Sequence, residues 1–506
     1  MLDRLRSLGK SFTVYGLGDV ATSVISFLLL PVYARFLTPE DYGAIGLLLS
    51  VEVVAKIVFR FGLDGAFMRL YFDCADDGAR QRLASTLFWF LAVVGGVVLA
   101  ICQGGLPVLA SAMGVANYPG ALRIVLLNTF IIGFYFIPFH VLRMTDRPAT
   151  FVALTTSRSA ATLLTRFALI IGLDLGVTGF VLADLIVSAV FTVVMLRWFW
   201  PLIRPVFSRA VLEDALRFGL PRVPHGILQQ VMFVADRYVL RMFSVLSEVG
   251  LYQMGASFGM ALKLVLNAFE YAWAPFYFQT MKAADAKATF RLITTYGVAG
   301  LTLLVAGLAA VGPEIVRWVL PPQFHGAAGI VPWIGLGVGF QGVYLLTSIG
   351  LNITKSTRFY PVATGAAAVT SIIANLLLVP HFGSLGAAWS NAAAYFVMAA
   401  TAFVLSQRVY PIPLEWSRLA RIAAAGTAAY VAAWAVPAMP PLAAGLVRGT
   451  VVTATFPGCL AALGFLDARE LRTLGRLLER VRSGRAGTAP AAAATDVALA
   501  DDQQIP

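Results

Sequence analysis

The chain has 506 residues, of which 59% are hydrophobic and only 13% charged. Soluble domains carry about a quarter charged residues, and a chain this apolar would expose more nonpolar surface than water tolerates, so a water-soluble fold is excluded and the bilayer is its solvent. The net charge of +12 would point to nucleic acid in a soluble protein, but here the placement of the charges decides; Cys74, Cys102 and Cys459 have neither disulfide nor metal-ligand spacing and read as packing residues.

Arg4, Arg6 and Lys10 make residues 1–10 a basic N-terminus ahead of a first apolar run, 11–33. That run has no small-x-small cleavage site before Pro39-Glu40-Asp41, so an uncleaved span is expected rather than a signal peptide. Stretches of about twenty apolar residues then predict spans at 42–61, 84–106, 121–142, 151–172 and 177–196. A second set of six follows at 218–239, 249–275, 292–311, 330–351, 361–378 and 384–405. Two more, 420–436 and 442–465, bring the total to about fourteen.

The expected domains are a first lobe at 11–200, a second at 213–407, and a terminal pair of spans within 418–466. Leu471, Leu474, Leu477, Leu478 and Val481 recur at helical spacing among arginines, so 467–483 reads either as a basic amphipathic helix on the anionic inner leaflet or as a solvated charged tail. Residues 484–506, rich in Ala, Pro and Asp, read as disordered.

Basic residues stay on the cytoplasmic side of a membrane protein. With the N-terminus in the cytoplasm, the even-numbered connections and both tails hold 26 of the 38 Lys and Arg residues, the odd-numbered connections hold only Arg35, Arg237, Arg241 and Arg317, and eight fall inside spans. Both termini are therefore expected in the cytoplasm of a multi-pass protein of the cytoplasmic membrane.

Sliding the chain against itself at an offset of 207 aligns Gly43 with Gly250, Ser50 with Ser257, Lys56 with Lys263 and Val58 with Val265 without a gap. The preceding spans correspond too, Tyr15-Gly16-Leu17 with Phe218-Gly219-Leu220 and Arg35-Phe36 with Arg241-Met242. Six spans separate the copies, so the halves share orientation and are related by an axis along the membrane normal, a two-lobed transporter pattern.

At these residues a family emerges. The opening YGLGDVATSVISFLLLPVYARFLTPEDYGAIGLLLS with GLDGAFMR, and the later LRFGLPRVPHGILQQVMFVADRYVLRMFSVLSEVGLYQMGAS, resemble the polysaccharide-transport branch of a large flippase superfamily, the branch that contains O-antigen and exopolysaccharide repeat-unit flippases. The resemblance covers roughly 8–465. It implies an all-α polytopic membrane protein, two pseudo-symmetric six-helix bundles around a central cavity plus two C-terminal helices, moving a lipid-linked oligosaccharide by alternating access.

A charge within a span is costly and is a functional candidate by default. The set is Asp19; Glu52, Lys56 and Arg60; Arg123; Arg158 and Arg166; Asp184; Arg222; Lys263 and Glu270; and Arg448. All but Arg448 lie in spans one to eight, which places the polar interior there. Glu52, Lys56 and Arg60 recur every four residues and share one helix face. One reading is a structural ladder with Arg60 snorkelling to the surface. For Lys56 the functional reading is preferred, because its repeat partner Lys263 is also a lysine, about 20 Å inward from the outer ends of their spans.

Under the twofold relation the two lysines would face each other across the cavity, where paired ammonium groups call for a counter-anion such as pyrophosphate. Arg222 and His225 extend that patch, and Arg60 and Arg123 complete the candidate cationic site. Glu52, Asp19, Asp184 and Glu270 are the candidates for a coupling proton or sodium ion, or pair with the cations nearby. Gly16 and Gly18 in span one, and Gly219, Pro221 and Pro224 in span seven, predict breaks at corresponding places in the two halves.

No phosphate cradle of the form G-x-x-x-x-G-K-[ST] occurs, so any pumping is secondary, driven by protons, sodium or the membrane potential. Zinc-protease and serine-hydrolase motifs are lacking too, and the four histidines are scattered. Asp73, Asp76 and Asp77 beside Arg80 and Arg82 read as a solvated loop rather than a metal site. The expected function is a secondary flippase, not an enzyme and without metal or cofactor, for an anionic undecaprenyl-pyrophosphate-linked oligosaccharide in surface-polysaccharide assembly. Membrane lipids, a polymerase and export machinery would be its partners, and nucleic acid would not. The alternatives are a lipid II or multidrug exporter of the same superfamily, an integral-membrane glycosyltransferase or polymerase, and a non-transporting scaffold.

Overall fold

The computed structural model describes residues 27 and 29–465, except 146 and 221. Most of the expected first span, with Asp19, Gly16 and Gly18, lies outside the described residues, as do the basic helix expected at 467–483 and the tail. Among the described residues all regular structure is helical. Among the described residues seven helices are long and apolar enough to cross a membrane, or eight when one bent pair counts as a span.

Helix α1 (Pro39–Arg60) starts where the sequence supplies a start signal. Thr38 Oγ accepts from the Asp41 N–H at 3.2 Å while the Asp41 carboxylate accepts from the Thr38 N–H at 2.8 Å, and Pro39 occupies the first turn, where its missing N–H costs nothing. The helix ends at Phe61 (φ 51°) and Gly62 (φ 70°), which turn the chain into α2 (Leu63–Asp73). The first half continues through α3 (Asp77–Gly104) and α4 (Pro119–Met144), then α5 (Pro148–Phe167) and α6 (Gly176–Phe199).

The second half holds α7 (Arg209–Gly219), α8 (Arg222–Phe243), α9 (Leu246–Gly259), α10 (Ala261–Thr280), α11 (Ala286–Val319), α12 (Val331–Thr347) and α13 (Tyr360–Val409). Helix α7 ends at Gly219 and α8 begins at Arg222; the break expected at Pro221 lies outside the described residues. Spans eleven and twelve form α13, broken at Gly383, whose φ of 55° no helix accommodates. Two last helices, α14 (Trp416–Trp434) and α15 (Pro441–Ala462), pack on α11 through small residues, Ala299, Ala306 and Ala310 against Ala425, Ala429 and Ala433.

The halves meet where α1 crosses α9. A Cβ on Gly43 would overlap the Leu246 carbonyl oxygen, and one on Gly250 would overlap the Pro39 carbonyl and come within 2.9 Å of the Gly43 nitrogen. Adding the repeat offset of 207 turns Pro39 into Leu246 and Gly43 into Gly250, so the two contacts are the same contact made twice with the halves exchanged. Gly46 faces Gln253, again its own repeat partner, whose Cγ a Cβ would meet at 3.3 Å. Equivalent residues touch only on a symmetry axis. The crossing is therefore the pseudo-twofold axis, and glycine is required because only backbone without side chains approaches this closely in a membrane.

At the far end of α1, Gly62 and Gly219 meet backbone to backbone, and α7 buries Ala215 in a cluster with Leu63, Phe67, Leu83 and Leu87 of α2 and α3. Gly43→Val and Gly250→Val should each cost about 2 kcal/mol or more through forced separation of the helices. Gly300→Ala, where the added carbon meets nothing within 4 Å, should be neutral to within about 0.5 kcal/mol. Thermal midpoints in detergent check both, and a wild-type midpoint for Gly250→Val would contradict the crossing.

Candidate functional site

Lys56 lies 13 residues beyond Gly43 on α1, and Lys263 lies 13 beyond Gly250 on the α9–α10 arm, about 20 Å of helix in each case. Because the glycines sit on the axis, the lysines occupy equivalent depths on the side of the crossing where the basic connections cluster. Lys56 Nζ pairs with Glu52 at 2.6 Å, with the lysine side chain 36% and the carboxylate 13% exposed, which is the i,i+4 ladder of one sequence reading. Lys263 is half-buried just past a 42° bend between α9 and α10, and interacts with Glu270 two turns on. Both lysines thus have a carboxylate on their own helix.

Arg60 closes α1 with its guanidinium near Asp64 and its buried Nε without a hydrogen-bond partner. Arg222 opens α8; its side chain and that of His225 lie outside the described residues. Gly226, one turn on, sits against the Ile57 side chain, which a Cβ would meet at 3.5 Å, so the first turns of α8 run beside the Lys56 level of α1. Arg123 does not join this group. It is exposed one turn into α4, next to Tyr118, which senses Glu40 and Asp41 at the opposite end of α1. The fifteen residues from Asp41 to Lys56 span about 22 Å of helix, and the expectation that Arg123 shares the cationic patch is corrected accordingly.

In the first half, Asp184 is committed to a pair. Its Oδ2 accepts from Arg166 Nη2 at 2.6 Å with both side chains under a fifth exposed, and the same guanidinium lies 3.8 Å from the Phe180 ring centroid. Arg158 donates to Ser188 Oγ at 3.2 Å. The loop after α2 is a solvated one, with Arg80 paired to Asp77 at 2.9 Å, and among the described residues no group of three His, Cys, Asp or Glu could hold a metal ion.

The polar knot that sequence reading missed is in the second half. Asp236 on α8 is 1% exposed. It accepts from Tyr252 Oη at 2.6 Å, Asn375 Nδ2 at 2.7 Å and Asn391 Nδ2 at 3.2 Å, so α8, α9 and both arms of α13 converge on one carboxylate. Asn375 Oδ1 is buried there without a donor. Three neutral donors satisfy the carboxylate, and the orphaned carbonyl oxygen of Asn375 beside it is left as an acceptor. Arg237, counted as an outward-loop residue, lies well inside α8, which runs to Phe243, and its Nε donates to Gln253 Oε1 at 2.6 Å. A second miss is Glu314, beyond the predicted end of span nine at 311; α11 continues to Val319, and Glu314, 4% exposed, receives both Arg317 and Arg448 at 2.6 Å. The polar interior therefore extends past spans one to eight.

Comparison with known proteins agrees with this architecture. Residues 8–281 match the family described as "Polysaccharide biosynthesis protein". The "Lsg locus putative protein 1" of Haemophilus influenzae is 20% identical over 348 residues, 66% of this chain and 78% of that protein. An "Uncharacterized membrane protein" of the same organism is 20% identical over 407 residues, 75% and 90% of the two chains. Among solved structures, "Lipid II flippase MurJ, inward closed conformation" superposes with a TM-score of 0.68 at 13% identity, covering 89% of this chain and all of that one. An inward-facing multidrug resistance MATE family transporter of the MOP superfamily gives 0.63 at 15% identity, covering 82% and 96%. These likenesses establish the fold. With more than half its length matched by the family, the chain belongs to the polysaccharide biosynthesis protein family.

Proposed function

We propose that this protein is a secondary flippase that carries an anionic polyprenyl-pyrophosphate-linked oligosaccharide across the cytoplasmic membrane, from the leaflet facing its basic connections to the other, for surface-polysaccharide assembly. The observation that supports this reading most directly is the reciprocal glycine crossing, because it makes Lys56 and Lys263 a symmetric pair at one depth. A twofold pair of cations suits a twofold ligand group, and a pyrophosphate has two phosphates to share between them. The Glu52 pair supports the same role. An i,i+4 ion pair is worth only about 0.3–0.5 kcal/mol, weak enough to yield to a phosphate. Polymerase and export machinery would receive the product on the far side.

Coupling is assigned to Asp236 in this proposal. Of the expected carboxylates, Glu52 and Asp184 are held in ion pairs, Glu270 is exposed beside Lys263 and Asp19 lies outside the described residues. Asp236 joins both arms of α13 to α8 and α9, so a proton or sodium ion bound there would change how the lobe packs.

Lys56→Gln with Lys263→Gln should leave insertion intact and lower flipping of a lipid-linked oligosaccharide in proteoliposomes on the order of a hundredfold, the loss of two charge-assisted contacts of about 1.5 kcal/mol each. Unchanged flipping in the double variant rejects the lysine assignment, and equal activity on lipid II would broaden the substrate class. Asp236→Asn should retain downhill movement but lose acceleration by an imposed proton or sodium gradient, with a stability cost of about 1–3 kcal/mol from facing an amide toward donors. A wild-type gradient response in that variant would remove Asp236 from coupling.

A further inference from the structure

Away from the crossing, α11, α12 and α14 enclose a groove of about 810 Å³, within the roughly 300–1,000 Å³ range of small-molecule sites. Its wall is apolar over most of its length, with Val305, Ala309, Leu336, Phe340 and Tyr430. Its polar end is Arg317 and Arg448. Both guanidiniums converge on one oxygen of the buried Glu314, each through a single Nη1 at 2.6 Å, so the triad carries a net charge of +1. Glu314 takes one N–H from each fork, and Arg448 Nε has no hydrogen-bond partner, so donor capacity is left over.

The depth of the charged end is marked independently. Arg317 lies two residues before the end of α11. Trp318, Trp333 and Trp434 surround the same end of the bundle and are 57%, 39% and 76% exposed, the pattern of an aromatic belt at headgroup level. An apolar trough entering the hydrocarbon, capped by a net positive triad at the headgroup, matches a lipid with an anionic head. A neutral zwitterionic lipid has no use for the extra charge, and a soluble anion has no use for the trough.

We propose that this groove binds one anionic phospholipid, its phosphate against Arg317 and Arg448 and its acyl chain along the wall formed by α11, α12 and α14. Lys56 and Lys263 lie on other helices, α1 and α10, so this lipid is a resident of the leaflet opposite the basic connections and not the cargo. The inference needs only a membrane-spanning chain and stands apart from the flippase reading.

Titration of the purified full-length protein in detergent with phosphatidylglycerol or phosphatidylcholine, read by native mass spectrometry, tests it. The expected result is one retained phosphatidylglycerol, preferred over phosphatidylcholine by about fivefold or more, the increment of one basic residue near a membrane surface. Arg317→Gln and Arg448→Gln each leave Glu314 with one partner and neutralise the triad, so each should abolish the preference. Glu314→Gln should raise it, and Ala309→Trp should expel both lipids. Equal binding of the two lipids, or a wild-type preference in both arginine variants, overturns the proposal. Displacement of phosphatidylglycerol by equimolar undecaprenyl phosphate would make the groove part of the cargo path and overturn it equally.

Discussion

Two glycines touching across a pseudo-symmetry axis organise this molecule. Lipid gives helices no hydrophobic reason to associate, so close van der Waals packing and polar contacts must do it. Gly43 and Gly250 supply the packing by letting the backbones of α1 and α9 meet, Gly43 against the carbonyl of Leu246 and Gly250 against that of Pro39, two residues that are themselves repeat partners. Because the contact is made twice, it fixes the axis as well as the distance. The placement of Lys56 and Lys263 at matching depth follows from it and from helix rise alone.

The second constraint is the cost of polarity in hydrocarbon, about 2.5–3.5 kcal/mol for a charge at mid-membrane by insertion scales. The protein meets it by pairing. Lys56 has Glu52, Arg166 has Asp184, and Arg448 shares Glu314 with Arg317. Asp236 is handled differently, by neutral donors from α9 and from the two arms of α13. Ion pairs on one helix or between neighbours can hold while helices shift as bodies, whereas the Asp236 knot ties four segments together, and any change in its charge must be answered by all of them.

How much of this was legible depended on the range of the signal. The apolar runs after the first span are local signals, and among the described residues helices lie where those runs place them. The repeat was legible because both halves keep Gly43 and Gly250, Lys56 and Lys263 at one spacing. Arg123 was misassigned because span membership says nothing about which end of the bundle a residue occupies relative to another helix. Glu314 and Asp236 were passed over because each sits within a few residues of a predicted span end, at 311 and 239, where a charge reads as interfacial; the helices run on to Val319 and Phe243.

The sequence by itself determined that the chain is an all-helical membrane protein of two related halves, because apolar run length, loop charge and repeat spacing are properties of the chain taken a few turns at a time. Only the tertiary structure decided which charges are partners and which residues lie on the axis. Asp236 with Asn375 and Asn391, and Glu314 with Arg448, are separated by more than a hundred residues. Helix periodicity fixes a direction around one helix only, and choosing the neighbour that direction faces requires all the helices to be packed at once.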